Sequence, residues 1–425
     1  MASGAGRAGV AVVRVSGPEA GQVLEALAGG LPAPRLAALR QLKDAAGGQI
    51  DDALVLWFPA PKSFTGEDVA ELHLHGGPAV IEAALAACLA LPGVRLARPG
   101  EFTRRAFEHG KLDLTEAEGL ADLIDAETEG QRLQALRQME GALGRLYEGW
   151  RARLVEAMAL LEAAIDFPDE DLPEDLAARV GPLISSLKQE METHLADGWR
   201  GERVRDGYRI AILGAPNAGK SSLLNALARR EAAIVSDIPG TTRDVVEVRL
   251  TLAGFPVWLA DTAGLREAAD QIEAEGVRRA LERAEAADLR LGLVEVGGEP
   301  DPALQAALKP GDILIRSKAD IGVGEGVAIS AKTGAGIAEL EVLLAERVAQ
   351  ALGAREVPAL TRARHRALAE EAAAALAAAQ ASLAQGPELA AEDLRRAADH
   401  LGRLTGRIDV EHLLDSIFSS FCIGK

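Results

Sequence analysis

Cysteine is nearly missing: Cys88 and Cys422 are the only two in 425 residues, too few and too far apart for a disulfide framework, and a reducing cytosol is the expected compartment. Basic side chains are in deficit, 46 Lys and Arg against 64 Asp and Glu. The resulting formal charge of −18 excludes a broad basic surface that would hold nucleic acid unaided. An RNA substrate would need a local patch or a basic partner. Nowhere does an apolar run reach the roughly 20 residues that span a bilayer, and the Gly/Ala-rich start has no uninterrupted apolar signal core. A soluble cytoplasmic protein with no membrane association is therefore expected. What is present is ample apolar content, 48%, in a chain long enough for about two to four domains.

One stretch organises the rest. Gly214-Ala215-Pro216-Asn217-Ala218-Gly219-Lys220-Ser221-Ser222 follows an apolar run at 208–213 and precedes an amphipathic pattern at 222–230, so it reads as strand, glycine loop and helix start. The pattern G-x-x-x-x-G-K-[ST] wraps a phosphate chain in backbone N–H groups. Lys220 would reach the terminal phosphates and the Ser221 hydroxyl would reach magnesium. A glycine-rich loop by itself could be an ordinary turn; the complete pattern in this setting points to a bound nucleotide.

Further motifs follow in order. The segment Ser236-Asp237-Ile238-Pro239-Gly240-Thr241-Thr242 lies before a strand, where Thr242 would offer the metal a second protein oxygen, although a Thr pair in a loop is weak by itself. Asp261-Thr262-Ala263-Gly264 follows a strand-like run at 256–260; Asp261 would hold the magnesium shell and the Gly264 N–H would sense the γ-phosphate. Base choice rests on Ser317-Lys318-Ala319-Asp320 and Ser330-Ala331-Lys332, each after a short apolar run. The Asp320 carboxylate can accept from both N1–H and the exocyclic amine of guanine, an arrangement adenine does not offer. Two departures stand out. Ser317 occupies the position where the usual motif has Asn, which removes one polar contact to the base or the loop. Leu265 follows Gly264 where Ras-type enzymes place a water-orienting Gln. Glu267, Asp270, Glu273 and Glu275 lie just beyond, and spacing alone assigns each to a solvated helix face. The set indicates a switch GTPase rather than a generic ATPase.

The flanking pattern places this unit inside a larger chain. Residues 1–112 mix β-like runs at 10–15, 53–58 and 69–74 with a helical pattern at 79–91 and read as an α+β domain. Residues 113–205 turn to long amphipathic stretches with an acidic, proline-containing break at 166–173, read as a solvated loop rather than a metal site. Strand–helix alternation over 206–352 marks a parallel-sheet α/β unit. Helical character returns over 353–425, in runs at 361–385 and 387–421. The expected architecture is multidomain: an α+β N-terminal domain, an all-α helical domain in two parts, and a P-loop α/β GTPase domain inserted between them.

Outside the GTPase motifs stand Ser63-Phe64-Thr65-Gly66-Glu67-Asp68 with Glu71-Leu72-His73-Leu74-His75-Gly76-Gly77, then Pro99-Gly100-Glu101-Phe102-Thr103-Arg104-Arg105-Ala106-Phe107, Gly110-Lys111-Leu112-Asp113-Leu114 and Phe421-Cys422-Ile423-Gly424-Lys425. With these four signatures in order, the chain resembles the MnmE (TrmE) family of tRNA-modification GTPases over nearly its whole length. Members usually carry one more strand ahead of the Gly4-to-Gly9 segment with which this chain starts.

The resemblance implies a homodimer whose N-terminal domain, 1–112, dimerises and binds a 5-formyltetrahydrofolate-type one-carbon folate. It implies hetero-oligomer formation with an MnmG-like flavoprotein, which alone would carry FAD, to install an aminomethyl-type group on carbon five of the wobble uridine of tRNA. By motif position, Arg14, Glu71, Lys111 and Lys425 would contact the folate. Asn217, Ser236, Ile238 and Thr241 would hold potassium beside the phosphates of GTP, Ser221 and Thr242 would bind magnesium, and Glu273 would orient the attacking water. Asn217, Lys220 and Glu273 are thus the expected catalytic groups, with Ala218, Gly219 and Ser222 completing the phosphate loop.

Blander readings apply elsewhere. His73 and His75 share one face of a strand with no evident third ligand, so a packed or hydrogen-bonded pair is expected. Cys422 as a buried small residue is at least as good a reading as a thiol nucleophile. Two rival functions remain: a ribosome-assembly GTPase, which would need an appended basic RNA-binding module, and a GTP-switched scaffold, for which Lys111 and the tail would be dispensable.

Overall fold

In the computed structural model the alternating runs of the N-terminal segment pair into an antiparallel four-stranded sheet of order β1-β4-β3-β2, from Ala8–Ser16 (β1), Ala38–Lys43 (β2), Gln49–Phe58 (β3) and Val69–Gly76 (β4). The structure describes residues 1–4, 6–166, 176–197, 199–230, 247–261, 282–353, 358–408, 411–419 and 421. They divide into two compact units, Met1–Ala121 with Gln138–Leu187 and Glu371–Lys425, and Asp122–Arg137 with Lys188–Glu370.

In the first unit, helices Ala20–Ala28 (α1) and Pro78–Leu89 (α2) contribute to a core that includes Val13, Leu24, Leu42, Val55 and Leu72. Helix α2 begins with Pro78 at its first position, where the missing N–H costs nothing. The sequence reading missed α1 and β2. Helix α1 buries Ala20, Val23, Leu24, Leu27 and Ala28, a helical stripe only nine residues long. Strand β2 fully buries only Leu42 and leaves Leu39 67% exposed, so its alternation is faint. Along the chain follow Glu101–Glu108 (α3), Leu114–Asp125 (α4), Glu129–Met139 (α5), Ala142–Asp166 (α6) and Leu176–Leu195 (α7), of which the stretches 122–137 and 188–195 belong to the second unit. Helix α6 buries Leu143, Tyr147, Trp150, Leu154, Ala157 and Leu161, a spacing of four and three that keeps one face inward.

In the second unit, Arg200–Asp206 (α8) leads into Tyr208–Gly214 (β5), Lys220–Arg230 (α9), Glu247–Leu252 (β6), Phe255–Asp261 (β7), Leu289–Glu295 (β8), Pro302–Ala307 (α10), Ile313–Ser317 (β9), Val327–Ala328 (β10) and Ile337–Leu352 (α11). The sheet order is β10-β9-β8-β5-β7-β6, parallel apart from the antiparallel β6–β7 hairpin. Central strand β5 is buried at every position but Arg209, as a strand covered on both faces must be. The hairpin turns through Ala253 and Gly254, both at positive φ (50° and 79°), the signature of a two-residue turn that matches strand twist.

Helices Ala363–Ser382 (α12), Pro387–Thr405 (α13) and Glu411–Ser419 (α14) follow. The run expected at 387–421 is therefore broken. Gly406, left-handed at φ 84°, caps α13, and a side chain there would overlap the Phe107 ring. Among the described residues no helix is long and apolar enough to cross a membrane.

Candidate nucleotide and folate sites

Strand β5 delivers the phosphate loop to the C-terminal edge of its sheet, where ligands of open α/β sheets bind. Gly214 has φ 149°, and a Cβ there would stand 2.5 Å from the Leu293 carbonyl oxygen, so only glycine fits. Asn217 (φ 65°) and Gly219 (φ 95°) are left-handed, a curl that turns successive N–H groups into one concavity. Lys220, the first residue of α9, is 8% exposed; its Nζ donates to the carbonyls of Gly214 and Ala215, both at 3.0 Å. Burial holds its pKa below the ordinary lysine value, while Asp261 acts in the opposite direction.

Asp261 ends β7 beside the loop. Its Oδ2 accepts from the Ser221 hydroxyl at 2.5 Å, and its Oδ1 is buried with no hydrogen-bond partner among the described residues. Converging hard oxygens, one of them unsatisfied, fit a magnesium ion, which takes oxygen ligands and keeps several waters.

The base loop leaves β9 next door. Ser317 is 4% exposed, and its Cβ lies 4.0 Å from where a side chain on Gly219 would begin. Its hydroxyl donates to the Val294 carbonyl at 3.4 Å, inside the sheet. Asp320 accepts from the fully buried Ser330 hydroxyl at 2.7 Å, which holds its carboxyl below the usual range and leaves Oδ2 for a base. The Ala319 N–H donates to Ile329 O at 2.9 Å, tying this loop to the one that carries Ser330, Ala331 and Lys332. Sequence reasoning missed Glu295, which forms an ion pair with Lys318. Its place at the end of an apolar run was visible, and so was the strand before Ser317, but the register that sets Glu295 opposite Ser317 was not.

The structure thus brings together residues 214–222, Asp261, 317–320 and 330–332. Ser236, Asp237, Ile238, Pro239, Gly240, Thr241, Thr242, Thr262, Ala263, Gly264, Leu265, Glu273, Cys422 and Lys425 lie outside the described residues.

In the first unit, Arg14 and Glu71 face each other across β1 and β4, with Nε 2.9 Å from Oε1. Glu71 Oε2 also meets His73 Nε2 at 3.1 Å, and His75 Nδ1 meets Asp51 at 2.7 Å. Both histidines are hydrogen-bonded, and the described residues hold no metal-binding cluster of three or more His, Cys, Asp or Glu. The Arg14 guanidinium lies 5.8 and 5.9 Å from the ring centres of Phe64 and Phe102.

Arg14 also borders a cavity of about 320 Å³ with Ser16, Cys88, Glu101, Phe102 and Arg105. Arg95, with help from the Arg98 N–H and Arg105, pulls the Glu101 carboxyl down to about 2. Burial pushes the Cys88 thiol up to about 11, so it stays protonated. Lys111 lies against Gly66, its Cε 3.4 Å from where a Cβ would stand.

Residues 1–111 match the family model "GTP-binding protein TrmE N-terminus", and residues 114–422 match "MnmE helical domain". The tRNA modification GTPase MnmE of Parvibaculum lavamentivorans is 62% identical over 432 residues, covering 100% of this chain and 99% of that protein. The protein of the same name from Maricaulis maris is 58% identical, covering 100% and 98%. A solved structure, Aquifex aeolicus Era bound to GDP and AlF4-, is 25% identical over 39% of this chain and 66% of that one, with a TM-score of 0.28.

Proposed function

The chain belongs to the MnmE family of tRNA-modification GTPases, and from that premise we propose that it hydrolyses GTP in a potassium-dependent way to drive modification of carbon five of the wobble uridine of tRNA. It does so as a cytoplasmic homodimer, with a one-carbon folate and an MnmG-like flavoprotein that contributes FAD. The four segments 1–112, 113–205, 206–352 and 353–425 are its functional divisions. The observation that carries the reading is the convergence on one sheet edge of Lys220 for phosphate, Ser221 with Asp261 for magnesium, and Asp320 for guanine.

Ser221 and Asp261, joined by Thr242, would hold magnesium, which would supply charge neutralisation at the phosphates of GTP. Asn217 with Ser236, Ile238 and Thr241 would hold potassium, which would supply positive charge where Leu265 offers no water-orienting amide, and Glu273 would hold the attacking water. Asn217, exposed on a left-handed turn at the loop's rim, is free to present its amide oxygen there. At the other site, Arg14 and Glu71 offer a donor–acceptor pair beside two aromatic rings, a surface suited to a flat, hydrogen-bonding heterocycle. Lys111 and Lys425 would pair with folate carboxylates, and the folate supplies the carbon unit.

GTP turnover in potassium and in sodium salts, with folate titrated calorimetrically, tests this reading. Turnover is expected to be clearly faster in potassium; equal rates would remove the cation from the mechanism, and absence of folate binding would leave only a GTP switch. Arg14→Ala is expected to weaken folate binding about tenfold, the cost of losing a charged hydrogen-bonding partner, with GTP turnover unchanged. Loss of both would instead indicate misfolding.

A further inference from the structure

Ser317 leaves the guanine loop without its usual tether. Its hydroxyl is spent on Val294 O, and among the described residues no hydrogen bond joins 214–219 to 317–320. The loop is instead held from the sheet. Glu295 is the register partner of Ser317 at the ends of β8 and β9, the Val296 N–H donates to Ser317 O at 3.0 Å, and the Glu295 carboxylate pairs with the Lys318 ammonium. Lys318 is left-handed at φ 59°, a backbone turn that directs its side chain back along the sheet end and leaves Asp320 two residues on.

We propose that Glu295 is a positioning residue for the guanine site: through Lys318 it fixes the loop that presents Asp320, the task that an Asn at 317 would perform by bonding to the phosphate loop. This rests on the nucleotide-site reading above. The pair is half exposed, with side chains 38% and 46% accessible, so its contribution to global stability is small and its effect is local.

The test is release of a fluorescent GDP analogue from the full-length protein. Glu295→Ala is expected to speed release and raise Kd about fivefold, the upper range for an exposed pair, with kcat at saturating GTP and the melting temperature little changed. In a Lys318→Ala background the same substitution should add nothing, and Ser317→Asn should restore slow release to Glu295→Ala. Unchanged release in Glu295→Ala, or an equal effect in both Lys318 backgrounds, overturns the proposal. Asp320→Asn separates the two levels. If it keeps the guanine preference, the nucleotide-site reading itself fails; if it loses the preference while Glu295→Ala has no effect, only the Glu295 role fails.

Discussion

Replacing Lys220 with Ala is expected to lower GTP turnover by about 100- to 1,000-fold, the range for removing one preorganised donor from a developing charge. The ammonium is fixed at the loop by two carbonyls at 3.0 Å and is 8% exposed, so neither water nor a neighbouring side chain can take its place. Lys220→Arg is no remedy, because a planar fork cannot occupy a point-charge position in a pocket bounded by Gly214 and Ala215. Turnover and nucleotide affinity should fall together, with the melting temperature of the nucleotide-free protein measured alongside to exclude collapse. Turnover within about tenfold of the parent would mean that phosphate charge is met elsewhere.

Asp320→Asn is expected to weaken guanine-nucleotide binding about 100-fold while improving binding of xanthine nucleotides. The carboxylate receives its Ser330 bond on Oδ1, which leaves Oδ2 for the base. Guanine offers two donors along that edge, and hydrogen bonds to a charged acceptor contribute about 1.5–3 kcal/mol each. An amide substitutes a donor for one acceptor and so mismatches guanine, yet it complements the 2-oxo group of xanthine. Competition of GDP and XDP against a fluorescent nucleotide measures the exchange. An unchanged order of preference would remove Asp320 from base recognition. Because the Asp320 side chain lies at the surface, this variant is expected to fold normally.

Legibility of this chain in its sequence tracks how local each interaction is. The phosphate loop, Asp261 and the Asp320 loop are contiguous motifs at strand ends, and the β5, β7 and β9 runs that place them are short, predominantly apolar segments, broken by Arg209 in β5 and Arg316 in β9. Glu295 could not be read because its role depends on the register of two parallel strands separated by helix α10. Nor could strand alternation pair Arg14 with Glu71, since 57 residues separate them and the register is set by turns between; there the family resemblance supplied what periodicity could not. Strand β2 escaped because only Leu42 gives it an inward signal. The break after α13 needed a single glycine, Gly406, to be recognised as a cap within an otherwise helical pattern.

Helix α5 gives the nucleotide sheet a support that the motifs do not reveal. The Gly130 N–H donates to Gly254 O at 2.8 Å, Gln131 Nε2 to Arg205 O at 2.8 Å, and Glu127 pairs with Arg249. A side chain at 130 would overlap the Phe255 ring, so the helix backbone rests directly on the hairpin. The boundaries at which the motifs begin and end are consequently poor places to cut. An excised 206–352 fragment would uncover Phe255, leave Gly254 O and Arg249 seeking water, and strip the β6–β7 edge of a covering contributed from more than a hundred residues upstream. The compact unit that contains the nucleotide sheet is discontinuous in the chain, joining Asp122–Arg137 to Lys188–Glu370, and a two-segment fusion that carries 122–137 is expected to melt at a higher temperature than 206–352 alone.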